Sequence, residues 1–418
     1  MSVSDASIFP DSVPFTLAQV SSAALPKSWA TSKGASDWRV AAKINALKVA
    51  SYLTEPICKV REYFYTFYIL NETCKTTAQK VMKATFLALG IVAFTLLTPC
   101  TAPIGAALRG IVITLESKSY IYVEKAKKGK KLPEDKKITL VSHNQCYMPA
   151  GYSITDGQVM PASGKERMNS NVQMIKELNP DIACLYEVPD ICDACYLSSL
   201  LSEYPFIIPI AGVRAIGPSS MMYIASKYEI VGSSIEFVPF MKGTELTGRA
   251  QFSEKGFLSF DIKSQGEKTP FATVISTHLQ HSEIPAKPED REKIARTMQM
   301  NKIAKQIQKK VAQGHNVIFT GDLNQEEEEL NTFLDRHQIN WLRRDASVQG
   351  KTTWGGDQWC AELMSKLSSG SLVLDYTFIA GKATAISTRV IETGYSGLEF
   401  RPEATSDHDL LFSTITVG

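Results

Sequence analysis

The sequence predicts an α/β layered domain preceded by a helical, partly apolar N-terminal region. Three observations carry this. From Lys137 onward, short apolar and β-branched runs each end in a polar cluster: "KITLVSHN", "DIACLYEVPD", "TVISTHLQ", "NVIFTGDLN", "SLVLDYTFI". Between them lie stretches with apolar residues three and four apart, such as "GKERMNSNVQMIKELNP" and "REKIARTMQMNKIAKQIQKKV". Upstream of both stands one long uncharged segment. Continuous apolar runs of this length read as strands buried on both faces, and their alternation with amphipathic helices implies layers of sheet and helix.

Taken in order, residues 1 to 36 are rich in Ser, Ala and Pro, with few large apolar residues, and predict a poorly ordered tail. Residues 37 to 136 predict a helical region with a membrane-interacting segment at about 84–115 and a basic linker. Its core, "ATFLALGIVAFTLLTPCTAPIGAAL", runs from Ala84 to Leu108 between Lys83 and Arg109. That length falls in the range of about 17 to 25 residues that spans a bilayer as a helix. Pro99 and Pro103, with Gly90 and Gly105, predict either a kinked span or two arms, Phe86 to Leu97 and Ile104 to Leu115, dipping into one leaflet. A helical hairpin buried in a soluble module is the other reading. "KAKKGKK", Lys125 to Lys131, reads either as a cluster drawn to anionic headgroups or as a solvated linker; where the segment spans, it would keep the following domain, residues 137 to 418, on the cytosolic side.

Composition sets bounds on function. Hydrophobic content of 44% with 21% charged residues argues against global disorder, and a net charge of +2 neither demands nor excludes a polyanionic ligand. Eight cysteines include one CxxC, Cys192 to Cys195, without the second pair of a four-cysteine zinc site, so reduced thiols in an intracellular setting are expected. The opening "MSVSDASIFPDSVPF" lacks the basic start and apolar core of a secretory signal.

The polar strand ends gather Asn144, Glu187, His278, Asp322, Asn324, Asp375, Asp407 and His408. A sheet can bring such termini to one rim, where their side chains meet in a cleft. Glu187 and Asn144 offer the hard oxygen ligands that suit Mg²⁺, or Mn²⁺ in its place. His278 and His408 have carboxylate candidates in Asp375 and Asp407 to hold a tautomer and raise basicity. His315 and His337 lie in polar stretches and are expected to be solvated, while His143 and His281 adjoin the cluster with no assigned task. Tyr147, Trp354 and Trp359 read either as interfacial aromatics or as core.

In this order, "HN", "YEV", "STHLQ", "GDLN", "LDY" and "SDH" resemble the endonuclease/exonuclease/phosphatase superfamily over roughly Lys137 to Gly418. The resemblance implies a four-layer α/β sandwich, two mixed β-sheets face to face with helices outside. Within that superfamily, "STHLQHSE", "YEVPD" and "SEKGFLSFDI" look like the neutral sphingomyelinases. Tyr186 departs from the pattern, standing where Gln or Asn commonly precedes the metal-binding Glu.

The resemblance also implies roles. Glu187 would hold the divalent ion with Asn144 close by, and His408, supported by Asp407, would act as general base. Asp322 and Asn324 would orient water and phosphate. His278, steadied by Asp375, would stabilise phosphoryl oxygens or help protonate the leaving alkoxide. The implied activity is cleavage of sphingomyelin to ceramide and phosphocholine, with a lipid membrane and a phospholipid substrate as partners and no nucleic acid. The alternatives are a nuclease or another phosphodiesterase or phosphatase with the same constellation, and an inactive membrane-anchored interaction protein. The location expected is membrane-associated and intracellular; a bacterial owner would be acting on a host membrane.

Overall fold

The computed structural model describes residues 38–68, 76–115, 118–125, 128–147, 165–214, 218–282, 291–354, 372–392 and 406–418. The expected tail, residues 1 to 36, and Trp359 lie outside them. Two helices come first, α1 (Trp38–Tyr68) and α2 (Thr77–Leu115). The strands and helices that follow are β1 (Tyr120–Glu124), β2 (Lys137–Asn144), α3 (Lys165–Leu178), β3 (Ile182–Tyr186), α4 (Ile191–Leu200), β4 (Phe206–Ala211), β5 (Tyr223–Ser226) and β6 (Glu229–Ile230). They continue with β7 (Glu236–Pro239), β8 (Gly256–Lys263), β9 (Ala272–His278), α5 (Arg291–Ala312), β10 (Asn316–Asp322), α6 (Glu327–Arg336), β11 (Asp375–Gly381), β12 (Ala385–Ile391) and β13 (Leu410–Thr416).

One sheet has the order β1-β4-β5-β3-β2-β13-β12; the other runs β11-β10-β9-β8-β6, with β7 also paired to β8. Both mix parallel and antiparallel pairs. Period-two alternation along each strand sorts side chains between layers. In β3, Ile182, Cys184 and Tyr186 face the opposite sheet, while Ala183 and Leu185 pack under α3, α4 and the start of α1. In β10, Ile318 points between the sheets, and Val317 and Phe319 meet Met300, Ile303 and Ile307 of α5. The result is the four-layer sandwich implied by the sequence. The sheet takes in more chain than expected, because β1 lies upstream of Lys137 and pairs with β4.

The apolar segment departs from the two-arm expectation. α2 is one helix of 39 residues that continues through Pro99 and Pro103. Four residues apart, the two prolines share a helix face, so their missing N–H groups and ring clashes fall on one side. The hairpin that does form is α1 against α2: Gly105 approaches Leu53 and Thr54, and Gly90 lies against Tyr63, whose ring stands edge-on to Phe94 at 5.6 Å. The base of this hairpin is tied down, since Ile44, Leu47 and Val112 enter the core beneath the first sheet.

Elsewhere the hairpin is bare. Phe86, Leu89, Val92, Leu96 and Ile104 are exposed, and only 6% of the most apolar window of α2 is buried. α2 is long and apolar enough to cross a membrane. The lysine cluster is partly used within the fold. The buried Lys125 ammonium donates to the carbonyls of Ser198 and Leu201 at the end of α4, and Lys130 pairs with Asp181 at 2.6 Å.

Candidate active site

Strand register builds the rim. β9 and β10 run parallel with His278 beside Asp322, and β10 and β11 run antiparallel with Asp322 beside Asp375. These three side chains therefore stand in a row at one end of the second sheet. On the facing sheet, parallel β2 and β3 bring Asn144 beside Tyr186, one residue before Glu187. Glu187 and Asn324 have positive φ values of 55° and 48°, so each strand breaks into a tight left-handed turn at its functional residue. The glycine of "GDLN" has a packing reason: a Cβ on Gly321 would overlap the Thr277 carbonyl of the neighbouring strand. Gly321→Ala is expected to destabilise the fold by about 1–3 kcal/mol, the cost of overpacking, measurable as a lower denaturant midpoint.

All eight expected residues lie within the described chain, and seven of them converge in a linked set. Asn144 Nδ2 donates to Asp322 Oδ2 at 2.9 Å and lies 3.4 Å from His408 Nε2. His278 Nε2 is 3.5 Å from Asp322 Oδ2 and 3.8 Å from Glu187 Oε1. The Asn324 backbone N–H donates to Asp322 Oδ1 at 2.9 Å. His408 Nδ1 and Asp375 Oδ2 share a hydrogen bond of 2.7 Å, which corrects the expected pairing. Asp375, not Asp407, meets His408, because β11 opens at Asp375 and sets that carboxylate against the His408 ring. Asp407 instead accepts a hydrogen bond from Trp354 Nε1 at 3.1 Å, so it contributes charge to the site without touching the imidazole partner.

Charge follows from this burial. Burial pushes the Glu187 carboxyl up to about 7, and the Asp407 charge adds to it. Asp375 is likewise raised to about 6 by burial. Burial also works against a charged His408, but the carboxylates of Asp375, Asp322 and Asp407 outweigh it and hold that imidazole well above its ordinary value. His278 goes the other way: burial, then the neighbouring Lys255 ammonium, hold it neutral.

The donor set fits a divalent cation. Asp322, Asp375 and His408 present ligand atoms within 4.8 Å of one another. One oxygen each of Asp375 and Asp407 and Nδ1 of His278 are buried without a hydrogen-bond partner. Orphaned carboxylate oxygens of this kind are costly unless a cation or water meets them. His408 Nδ1 is already committed to Asp375, so within that trio the carboxylates are the better oxygen donors.

Sequence reasoning left several contributors unassigned. Lys255, within "SEKGFLSFDI", is buried, donates to the Leu279 carbonyl at 2.7 Å, and is lowered to about 8 by burial. Ser406 Oγ donates to the Asn144 carbonyl at 2.6 Å, and the Thr353 hydroxyl accepts from the Asp375 backbone N–H at 3.0 Å. No sequence signal marks these two, since each acts on a residue outside its own element, 262 and 22 positions away. Trp354 and Tyr147 are buried. His315 is half-buried and bonded to the Thr273 hydroxyl at 2.8 Å rather than solvated, while His337 is exposed as expected. Tyr186 spends its hydroxyl between the sheets, on Ser276 at 3.0 Å.

Among solved structures, SmcL aligns with TM-score 0.53 and 20% identity over 67% of this chain and 99% of its own. A mutant beta toxin from Staphylococcus aureus with bound magnesium ions aligns with TM-score 0.52 and 22% identity over 66% of this chain and 98% of its own. Sphingomyelinase C from Streptomyces griseocarneus aligns with TM-score 0.51 and 16% identity over 66% and 99%. At these identities the likeness is one of fold: the three structures share the four-layer sandwich of this chain. No protein-family model and no curated protein matches the chain by sequence. Within this fold, the rim described above lies where strand ends from both sheets meet, the usual place for a cleft between layered sheets.

Proposed function

We propose that this chain is a divalent-cation-dependent phosphodiesterase of the phospholipase C type, hydrolysing sphingomyelin to ceramide and phosphocholine at a membrane surface. One observation carries the reading: Glu187, His278, Asp322 and the bonded pair His408–Asp375 meet at one rim although they come from distant parts of the chain. The sphingomyelinase among the solved structures and the bare apolar helix α2 support a lipid rather than a polynucleotide substrate.

Glu187, with Asn144 beside it, would hold Mg²⁺ or Mn²⁺, whose chemistry is to offset negative charge on the phosphoryl oxygens. This chain's own groups do the rest. Asp322 and Asn324 orient a water toward phosphorus. His408 takes the water's proton at Nε2, the nitrogen left free by the Nδ1 bond to Asp375, and Asp375 stabilises the imidazolium that forms. As the water oxygen bonds to phosphorus, the bond to the ceramide oxygen breaks; that oxygen leaves with the electron pair and takes a proton from solvent, to which His408 returns the one it accepted. Charge on the equatorial oxygens meets the His278 imidazole. Being neutral, His278 suits hydrogen-bond donation rather than proton supply to the alkoxide, which narrows the two roles read from sequence.

The direct test is release of phosphocholine from sphingomyelin vesicles with Mg²⁺, run beside plasmid cleavage. Activity no higher than that of His408→Ala rejects the reading, and cleavage of plasmid alone reassigns the site to nucleic acid.

Membrane attachment is tested by charge. Leu89 and Leu96 are 66% and 71% exposed on α2. An aspartate near the bilayer centre costs about 2.5–3.5 kcal/mol, so Leu89→Asp with Leu96→Asp is expected to abolish pelleting with vesicles. Hydrolysis of vesicle substrate should fall at least tenfold, while micellar substrate is cut within about twofold of the parent rate. Unchanged pelleting of the folded variant would refute a lipid-facing α2.

A further inference from the structure

His143 was left without a task by the sequence, yet it is fully buried at the end of β2, beside Asn144 and on the opposite face of the strand. Its Nε2 lies 3.2 Å from the backbone carbonyl oxygen of His408. Its Nδ1 lies 2.5 Å from Gln145 Nε2. The chain of contacts continues outward to α3: Asn171 Nδ2 donates to Gln145 Oε1 at 3.1 Å and to the Tyr147 hydroxyl at 3.2 Å. Gln145 and Asn171 are themselves inaccessible to solvent.

Donor and acceptor chemistry gives this chain one direction. A carbonyl oxygen can only accept, so the His408 carbonyl requires a proton on His143 Nε2. A neutral ring then has a bare Nδ1, which must be met by a donor, and the Gln145 amide NH₂ supplies it. Gln145 Oε1 is thereby turned to Asn171, whose NH₂ donates. The reverse arrangement would set a bare Nε2 against a carbonyl, two acceptors in a buried space, at a cost of about 1–3 kcal/mol.

What is held matters. The segment Ser406 to Asp409 carries His408, and the bonds that fix it include Ser406 Oγ to the Asn144 carbonyl, Trp354 Nε1 to Asp407, the Asp409 N–H to the Thr353 carbonyl at 2.8 Å, and His143 to the His408 carbonyl. The last of these acts on the His408 carbonyl. With the carbonyl fixed, the imidazole keeps Nδ1 on Asp375 and Nε2 toward Asn144 and Asp322.

We propose that His143 is a positioning residue, locked by Gln145 as the Nε2–H tautomer, which clamps the His408 backbone and so aims the general base. The proposal rests on the reading of His408 as the base. Its test therefore includes a readout besides hydrolysis.

The experiment uses the full chain with ¹⁵N-labelled histidine rings, and compares His143→Leu, His143→Gln and Gln145→Leu with the parent. Loss of an orienting partner of this kind costs about 10- to 100-fold, so His143→Leu should lower kcat by that factor with KM changed less than threefold. It should also shift or broaden the ring signals of His408, assigned by their absence in His408→Ala. His143→Gln keeps a donor near the Nε2 position and should recover most of the rate and the signal. Gln145→Leu frees the tautomer and should fall between them, which keeps the test intact if His143→Leu does not fold. Folded variants with unchanged His408 ring signals and pH profile, differing only in melting temperature, would overturn the proposal. Moved ring signals in a protein whose hydrolysis does not need His408 would leave the clamp standing and overturn the assignment of the base instead.

Discussion

Asp375→Asn is expected to lower kcat for phosphodiester hydrolysis by about 10²–10⁴-fold, the span of general acid–base contributions, and His408→Ala to lower it at least as far. The expectation follows from the 2.7 Å bond between His408 Nδ1 and Asp375 Oδ2. That bond leaves Nε2 free for the water proton and places a carboxylate where positive charge develops. An asparagine in its place can offer its NH₂ to Nδ1, favouring the tautomer with the proton on the wrong nitrogen. Because Asp375 and His408 act as a unit, the double variant should be no slower than His408→Ala alone.

Asp407→Asn is the contrast. Its carboxylate serves Trp354, and an asparagine oxygen can still accept that indole N–H, so the loss should stay within about tenfold, the scale of a lost nearby charge. The pH profile adds a signed check. Three carboxylates raise the pKa of His408, and the base is competent only when deprotonated. Removing the Asp375 charge lowers that pKa, so the acid limb of kcat should move to lower pH in Asp375→Asn. If Asp407→Asn proved the more damaging change, the pairing read from sequence would be restored and the observed dyad would lose its role.

Glu187→Gln should remove the response to divalent cation. The Glu187 carboxyl stands at about 7 against an ordinary 4.5, chiefly through burial, with the Asp407 charge next. The sign follows for the cation-free protein. Below about 4.5 both folded and unfolded chains hold this proton and no stability is lost. As pH rises, the unfolded chain releases it first, so stability falls until the folded site also ionises near 7. A fifth of the side chain is still exposed, at 21%, which keeps the loss to about 1–2 kcal/mol.

Glutamine carries no such penalty. In chelator at pH 8, Glu187→Gln should therefore melt above the parent, and its stability should be flatter between pH 4.5 and 7. A cation and a proton compete for the same carboxylate, so Mg²⁺ should raise the melting temperature of the parent more at pH 8 than at pH 6. The variant should lose most of that shift, together with most of its kcat. A variant with the full parental Mg²⁺ shift would move the ion to the group of Asp322, Asp375 and His408.

The fold and the membership of the site were legible early, for a local reason. Each strand announces itself by a continuous apolar run, and each functional residue sits at the end of such a run, so periodicity locates both. Partnership was not legible. Asp375 and Asp407 are both aspartates and lie equally near a strand end. Which one meets His408 depends on the start of β11, at Asp375, facing His408 across the sandwich. The same holds for Lys125 and Lys130, which read as a lipid-facing cluster until the end of α4 and Asp181 are seen to occupy them.

Hydrophobic periodicity and the order of six short motifs thus determined, from the sequence alone, a layered α/β sandwich and the eight polar residues at its strand ends. Tertiary structure alone decided that His408 pairs with Asp375, that α2 is one helix through two prolines, and that His143 has a partner. The reason is physical. Apolar spacing is a property of neighbours along the chain, whereas a hydrogen bond between residues 33 or 265 positions apart is fixed by strand register and by which face of the sheet each side chain is given.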